Sequence, residues 1–558
     1  MSVHATTVIS RCLMVGLLAC LLPAATFGQS AGDPCDEYLL PPRDTQGGKV
    51  GPESCRKIET DFRLDNRSLR RFDIGLSGTV DGYVTRGGDY SEYMTSAPDL
   101  VFPQTSDLSR TFHTIARYER EKGAAMTVVF PANRSDWNGK MWVMIHGRGR
   151  SFQSGNLKAW NGNLDPADAA ADLNKYDRVI LRKGYALVKT YRTSAEGLGE
   201  IQATLENELK VDDVAFNDTH QYIKDFVAVA EAVVAKQLGE TPRRTYLYGH
   251  SAGGRLGRGF NYTPGLNVDA EGKPFIDGIL SDDSAAGTWL PVVMKSGVDV
   301  LLQTDADRAA FVPQIDVTHQ MYNNIWRPQR AEWVSNSFLE NKRRNARILR
   351  DKGMTPKHRM YEIRSISHSG GESLPDGRRG DVQILDLSLM MGQFIDMLDN
   401  WVEKGGPPPP MRSDWAELGD ADKDGTIENP GISFPEVACP LGIYYAFPVS
   451  SGERGIGLTS FAPFTGEGLE PLDGREVFVD MNRNGVWDLV ETPSQAWQRL
   501  GLLAEGEELT RSRYVACVRE SAESLRRDGF FSEETAQMYI ERAQTAAISP
   551  ESVAPGEP

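Results

Sequence analysis

Short apolar blocks separated by polar turns recur along the chain from about Arg71 onward. Phe72-Asp73-Ile74-Gly75-Leu76, Gly82-Tyr83-Val84 and Ala125–Phe130 have the brevity and β-branched or aromatic content of strands. Met141–Ile145 is apolar throughout, which predicts a strand buried on both faces, and it runs into His146-Gly147-Arg148-Gly149. Tyr185–Val188, Thr245–Tyr248, Ile276–Leu280, Val298–Leu302 and Met360–Ile366 predict further strands. Between them, Asp225–Leu238 places Phe226, Val229, Ala230, Val233 and Val234 at helical spacing. Phe338–Lys352 reads as a basic amphipathic helix and Met391–Val402 as a last one. Strands that alternate with helices predict an α/β fold, a mostly parallel, doubly wound sheet with helices on both faces.

The flanks differ from this core. Residues 1–28 hold one firm positive charge, Arg11, then the apolar run Cys12–Leu22 and a string of small residues. That pattern is expected of a secretory signal peptide, and the run is shorter than the ~20 residues a membrane span needs. Residues 29–70 form a polar N-terminal extension and 71–406 the core. Gly405-Gly406 and Pro407–Pro410 open a linker over 407–412, with a C-terminal extension over 413–558. No later segment could cross a bilayer, so the protein is expected to be secreted or periplasmic. Cys35, Cys55, Cys439 and Cys517 outlast removal of the leader. They allow three pairings, of which Cys35–Cys55 with Cys439–Cys517 is favoured because each pair shares a flank. With 77 acidic against 61 basic residues and a net charge of −16, the chain is a poor partner for nucleic acid.

Gly249-His250-Ser251-Ala252-Gly253 follows a predicted strand and opens a glycine-rich helix start, the setting in which G-x-S-x-G carries chemistry. The glycines permit a sharp turn that presents Ser251 as nucleophile. The N–H of Ala252 would then face the developing oxyanion, with Gly147 and Arg148 of the earlier glycine-rich loop as second donors. Serine needs a base, and His368 is the histidine directly after a predicted strand, in Ser367-His368-Ser369-Gly370-Gly371. His358 precedes that strand, and His319 falls in a connection read as an insertion or lid. The acid is expected after Val298–Leu302, where Asp307 is favoured over Asp305. Asp282 and Asp283 end an earlier strand and stand outside this constellation. Such chemistry requires no cofactor.

Over Arg71–Gly406 the sequence resembles the α/β-hydrolase superfamily. Trp137-Asn138-Gly139-Lys140 and Trp401-Val402-Glu403-Lys404-Gly405 look like the secreted branch that includes tannases and feruloyl esterases. His250 and Ser369 stand where tannases carry cysteines. Pro435-Glu436-Val437-Ala438-Cys439-Pro440-Leu441-Gly442 is similar to exported bacterial α/β-hydrolase-domain proteins. The resemblance implies hydrolysis of small-molecule or carbohydrate esters through a Ser-His-Asp triad and an acyl-enzyme. A serine peptidase of the same fold, or a calcium-dependent binding protein with an inactive hydrolase core, are the alternative readings. Tyr322, Trp326 and Trp333 lean toward aromatic or sugar esters.

Two acidic loops have calcium-type spacing. Asp480, Asn482, Asn484, Asp488 and Glu491 meet the twelve-residue pattern with Gly485 at the turn, while Asp420, Asp422, Asp424 and Glu428 repeat it with Gly431 at position twelve. Bound Ca²⁺ would be structural. At a hundredfold excess over Kd it would stabilise the fold by about 2.7 kcal/mol. A thermal melt with chelator is therefore expected to lose several degrees in the wild type and almost nothing in Asp480→Ala, with Asp420→Ala between them. A wild-type melt indifferent to chelator would reduce both loops to acidic turns.

Overall fold

Two long antiparallel strands, β1 (Gly48–Leu64) and β2 (Arg67–Thr79), form one end of the main sheet. The computed structural model describes residues 33–39, 41, 43–45, 48–79, 117–118, 126–146, 166–191, 195–196, 213–250, 252–262, 265–269, 271–283, 294–295, 298–299, 302, 304–319, 346–368, 370, 378–379, 382–383, 385–412, 431–445, 460–464 and 492–548. β3 (Met126–Pro131), β4 (Lys140–His146), β5 (Ala186–Tyr191), β6 (Arg244–His250), β7 (Gly278–Asp282), β8 (Gln314–His319) and β9 (His358–Ile363) are the sheet's other long strands, and four strands of two or three residues pair at the β1–β2 end. The spatial order is β1-β2-β3-β5-β4-β6-β7-β8-β9. Pairing is antiparallel as far as β5 and parallel from β5 to β9.

The period of two along each strand sorts side chains into two apolar layers. Trp142, Met144, Tyr246, Tyr248, Leu280, Ile315 and Val317 face one layer, closed by α2 (Lys175–Arg182; α1 is Pro166–Ala171) and the later helix α6 (Ser388–Lys404). Met141, Val143, Ile145, Leu247 and Ile279 face the other, covered by α3 (Asp213–Leu238) and α4 (Ala252–Tyr262). The doubly wound expectation is met. The last core helix ends as its sequence predicts, with Gly405 in the left-handed region at φ 70° and prolines beyond.

One predicted strand does not join the main sheet. Among the described residues of Val298–Leu302, Val298–Asp299 is extended and pairs with Met294–Lys295. The sheet strand at that stage is β8, so His319 ends a core strand instead of sitting in an insertion. The predicted helix 338–352 is described only in part, with 346–351 helical. Residues 1–28, Gly82–Val84 and both acidic loops lie outside the described residues. Cys35–Cys55 and Cys439–Cys517 are the disulfides. The second ties α7 (Pro435–Ala438) to α9 (Arg511–Arg527), which packs with α8 (Pro493–Arg499) and α10 (Glu533–Thr545). The proline block divides the chain in sequence, yet residues on both sides share one apolar layer. Phe530 meets Tyr361 of β9 edge-on at 5.2 Å, and Trp497 donates to the Pro440 carbonyl at 2.7 Å.

Between β2 and α1–α2 lies a buried ionic network. Arg71 is held by Asp73 at 2.9 Å and Asp172 at 2.8 Å, while Lys189 reaches Asp177 at 2.8 Å. Thr127 donates to Asp73 at 2.7 Å. Removing one buried partner strands the other charge, which costs about 3–5 kcal/mol, whereas an apolar replacement of both is far milder. Arg71→Ala is expected to lose that much in urea unfolding, and Arg71→Met/Asp73→Leu clearly less. Equal losses would mean that the charge pairing is not what this layer depends on.

Candidate active site

Parallel register brings four strand ends to one edge. His250 of β6 pairs with Asp282 of β7, Asp282 with Val317 of β8, and His319 with Ile363 of β9. At this edge β6 stops at His250 and α4 starts at Ala252. Their close approach demands glycine on both sides of the turn. A Cβ on Gly249 would fall 2.2 Å from the Gly253 carbonyl oxygen, and one on Gly253 would fall 2.1 Å from that of Ile145. The strand–turn–helix context of the G-x-S-x-G sequence is therefore present. Ser251 itself, Gly147 and Arg148 lie outside the described residues.

His368 leaves β9 by a short loop and returns to this edge. Its Nδ1 stands 2.6 Å from Oδ2 of Asp283, and both side chains are buried. Asp283 follows β7 directly, with φ 39°, a left-handed conformation that aspartate tolerates better than most residues. Three contacts hold it there. Its N–H donates to the Val317 carbonyl at 2.8 Å, its Oδ1 accepts from the His319 N–H at 3.0 Å, and Oδ2 takes His368. Asp283 thus lies between position 251 and His368 along the chain, directly after the strand that pairs with β6.

Asp307 and Asp305 are not brought to His368. Asp307 closes a reciprocal cap with Thr304 at the start of α5 (Asp305–Ala310), accepting from the Thr304 N–H at 3.0 Å and donating its own N–H to the hydroxyl at 3.1 Å. Asp305 is fully exposed and pairs with Arg308. Neither of the two expected acids contacts His368, and the carboxylate that does is Asp283. Once β8 replaces Val298–Leu302 in the sheet, the segment holding Asp305 and Asp307 runs into that strand from the far end rather than out of it.

Three further residues complete the edge. His250 directs Nε2–H to the His368 carbonyl at 2.7 Å, and its ring lies 4.7 Å from that of His368. His319 directs Nδ1–H to the Ser367 carbonyl at 2.7 Å and sets Nε2 2.8 Å from Asp282. Tyr248 donates to Asp282 at 2.6 Å. Burial pulls the His319 pKa down, but the Asp283 and Asp282 carboxylates outweigh it and push it up to about 9. The adjacent acids directly after an apolar strand, in Leu280-Ser281-Asp282-Asp283, were the available signal for this cluster. His358 sits at the opposite end of β9, 2.7 Å from Asp316, away from this edge as its position before the strand predicts.

The α/β-hydrolase domain family model matches residues 125–541, about three quarters of the chain. The chain belongs to this family. As an α/β-hydrolase it has solved structural counterparts, each distant in sequence. A poly(aspartic acid) hydrolase-1 from Sphingomonas sp. KT-1 is 13% identical, with 46% of this chain and 89% of that one covered and a TM-score of 0.28. A truncated carbohydrate esterase from gut microbiota is 16% identical, with 44% and 84% covered and a TM-score of 0.23. One of two fungal esterases from Rhizomucor miehei is 14% identical, with 49% and 78% covered and a TM-score of 0.24. No curated protein matches the chain.

The two placements of the acid separate cleanly in this hydrolase. Asp283→Asn is expected to lower kcat by roughly four orders of magnitude, because an amide favours the wrong tautomer of His368. Asp307→Asn should leave kcat near wild type and cost at most about 1 kcal/mol through its helix cap. Turnover of an activated aryl ester by both variants is the measurement, and a reversed order would return the acid to α5.

Proposed function

We propose that this chain is an exported serine hydrolase that cleaves carboxylic esters with Ser251, His368 and Asp283. The observation that supports this most is the buried 2.6 Å contact between His368 Nδ1 and Asp283 at the same edge as the glycine-flanked turn. With Nδ1–H donated to a carboxylate, the neutral imidazole keeps its lone pair on Nε2, the form a general base requires.

In this reading Ser251 Oγ bonds to the carbonyl carbon as its proton passes to His368 Nε2. The carbonyl π electrons move to oxygen, and the N–H of Ala252 at the head of α4, with a donor from Gly147 or Arg148, receives the oxyanion. When the intermediate collapses, the C–O bond to the alcohol breaks and His368 returns the proton to the departing oxygen. Water then repeats the sequence on the acyl-enzyme and regenerates Ser251. Asp283 stays ionised throughout and stabilises the imidazolium.

The substrate class is a small-molecule or carbohydrate ester, the finer reading that the sequence resemblance implies. Export is supported by the two disulfides, which suit an oxidising compartment, and by the leader-like residues 1–28. No helix among the described residues is long and apolar enough to cross a membrane. Calcium in the 480–491 and 420–428 loops would be structural, apart from the chemistry.

Ser251→Ala is expected to fold normally, lose label from a fluorophosphonate reagent and lose nearly all turnover across a panel of aryl, acyl and carbohydrate esters. His358→Ala should retain label and turnover. Full activity in Ser251→Ala would end the serine-hydrolase reading.

A further inference from the structure

Behind the Asp283–His368 pair lie groups to which the proton relay gives no role. Asp282 and Asp283 are consecutive carboxylates with no exposed surface, and His319 is equally buried. Two adjacent anions out of water are costly unless a cation lies among them. His319 is placed to be that cation. Its Nδ1 faces the Ser367 carbonyl at 2.7 Å and its Nε2 faces Asp282 Oδ1 at 2.8 Å. A carbonyl accepts and an ionised carboxylate accepts, so the ring satisfies both sides with a proton on each nitrogen. The Asp282 contact is an ion pair between two fully buried groups. The same ring lies 3.6 Å from Asp283 Oδ2, the atom that holds His368.

We infer that His319 is a positioning residue, held as an imidazolium between Asp282 and Asp283 so that His368 meets one net negative charge instead of two. This rests on the reading of His368 as general base. With His319 charged, the cluster of Asp282, Asp283, His319 and neutral His368 carries one negative charge. Protonation of His368 during the reaction then brings the buried site to neutrality. With His319 uncharged, a second anion would face His368 and favour its protonated form, which cannot act as base, at pH values where the wild type works.

The position is built for this role. The His319 N–H orients Asp283, and Tyr248 from β6 donates to the other oxygen of Asp282. His250, facing both rings from β6, lies 6.4 Å from His319 and 4.7 Å from His368. Gly370 closes the far side at φ 58°, where a Cβ would fall 2.6 Å from the Tyr176 hydroxyl and 3.3 Å from His319 Cε1. The facing titratable groups are thus Asp282 and Asp283 on β7, Tyr248 and His250 on β6, Tyr176 on α2 and His368 after β9.

The test is the rate of fluorophosphonate labelling of Ser251 across pH, which reads the basicity of His368 without knowledge of the substrate. In His319→Gln the midpoint of the acid limb should rise by about one pH unit. In Asp282→Asn, where the imidazolium loses one counter-charge, it should fall, and in the double variant it should return toward wild type. A merely structural role for His319 predicts no opposed shifts and no compensation. Midpoints that do not move in folded variants overturn the inference. Should His319→Gln fail to fold, nitrogen NMR of the wild-type histidine rings decides: a His319 ring protonated on both nitrogens at the working pH supports the inference, and a neutral His319 ring overturns it. If Ser251→Ala still takes label, the serine reading fails instead, a result distinct from all of these.

Discussion

Parallel hydrogen bonding keeps β6, β7, β8 and β9 in step, and the site depends on that register. A slip of one residue would turn every side chain to the opposite layer. The observed register delivers His250, Asp282 and His319 to a common edge, with Asp283 directly after β7 and His368 one short loop after β9. The layers protect the register. Gly278 lets β7 pack against α6, since a Cβ there would meet Val402 and Leu398 at 3.0 and 3.2 Å, and Gly257 does the same for α4 against Leu247. These glycines link helix packing to the placement of chemistry.

The same edge concentrates charge where water is excluded. Asp283 is bound by the β8 backbone on one oxygen and by His368 on the other, so neither is free to turn toward solvent. Elsewhere the fold treats buried charge likewise, with Arg71 and Lys189 each set against aspartates and Arg258 near Asp316. Asp73, Asp177, Asp282, Asp283 and Asp316, all buried, each have a cation or a histidine beside them.

Much of this was legible in the chain. Apolar runs such as Met141–Ile145 and Thr245–Tyr248 announced buried strands, and G-x-S-x-G with its flanking elements announced the turn. His368 was legible because it comes directly after an apolar strand. Asp283 was not, for a physical reason. β8 reads Gln314-Ile315-Asp316-Val317-Thr318-His319, and its polar positions are buried on bonds from distant residues. Gln314 takes Asn261 and donates to Tyr262 and Asp316, and Asp316 takes His358. An alternating polar strand of this kind looks like a solvated segment, while the apolar Val298–Leu302 looks like a core strand. Exchanging the two moved the expected acid to Asp307. The disulfides followed from which cysteines share a flank. The packing of α8–α10 onto the sheet did not follow, because long-range contact leaves no local signature in Trp497 or Phe530.

The central claim is that His368 is held by Asp283, and proton NMR of the histidine ring tests it most directly. The account predicts a downfield exchangeable resonance from His368 Nδ1–H in the wild type. That resonance should be absent in Asp283→Asn and in His368→Ala, and unchanged in Asp307→Asn. A resonance that survives Asp283→Asn and vanishes in Asp307→Asn would contradict the account.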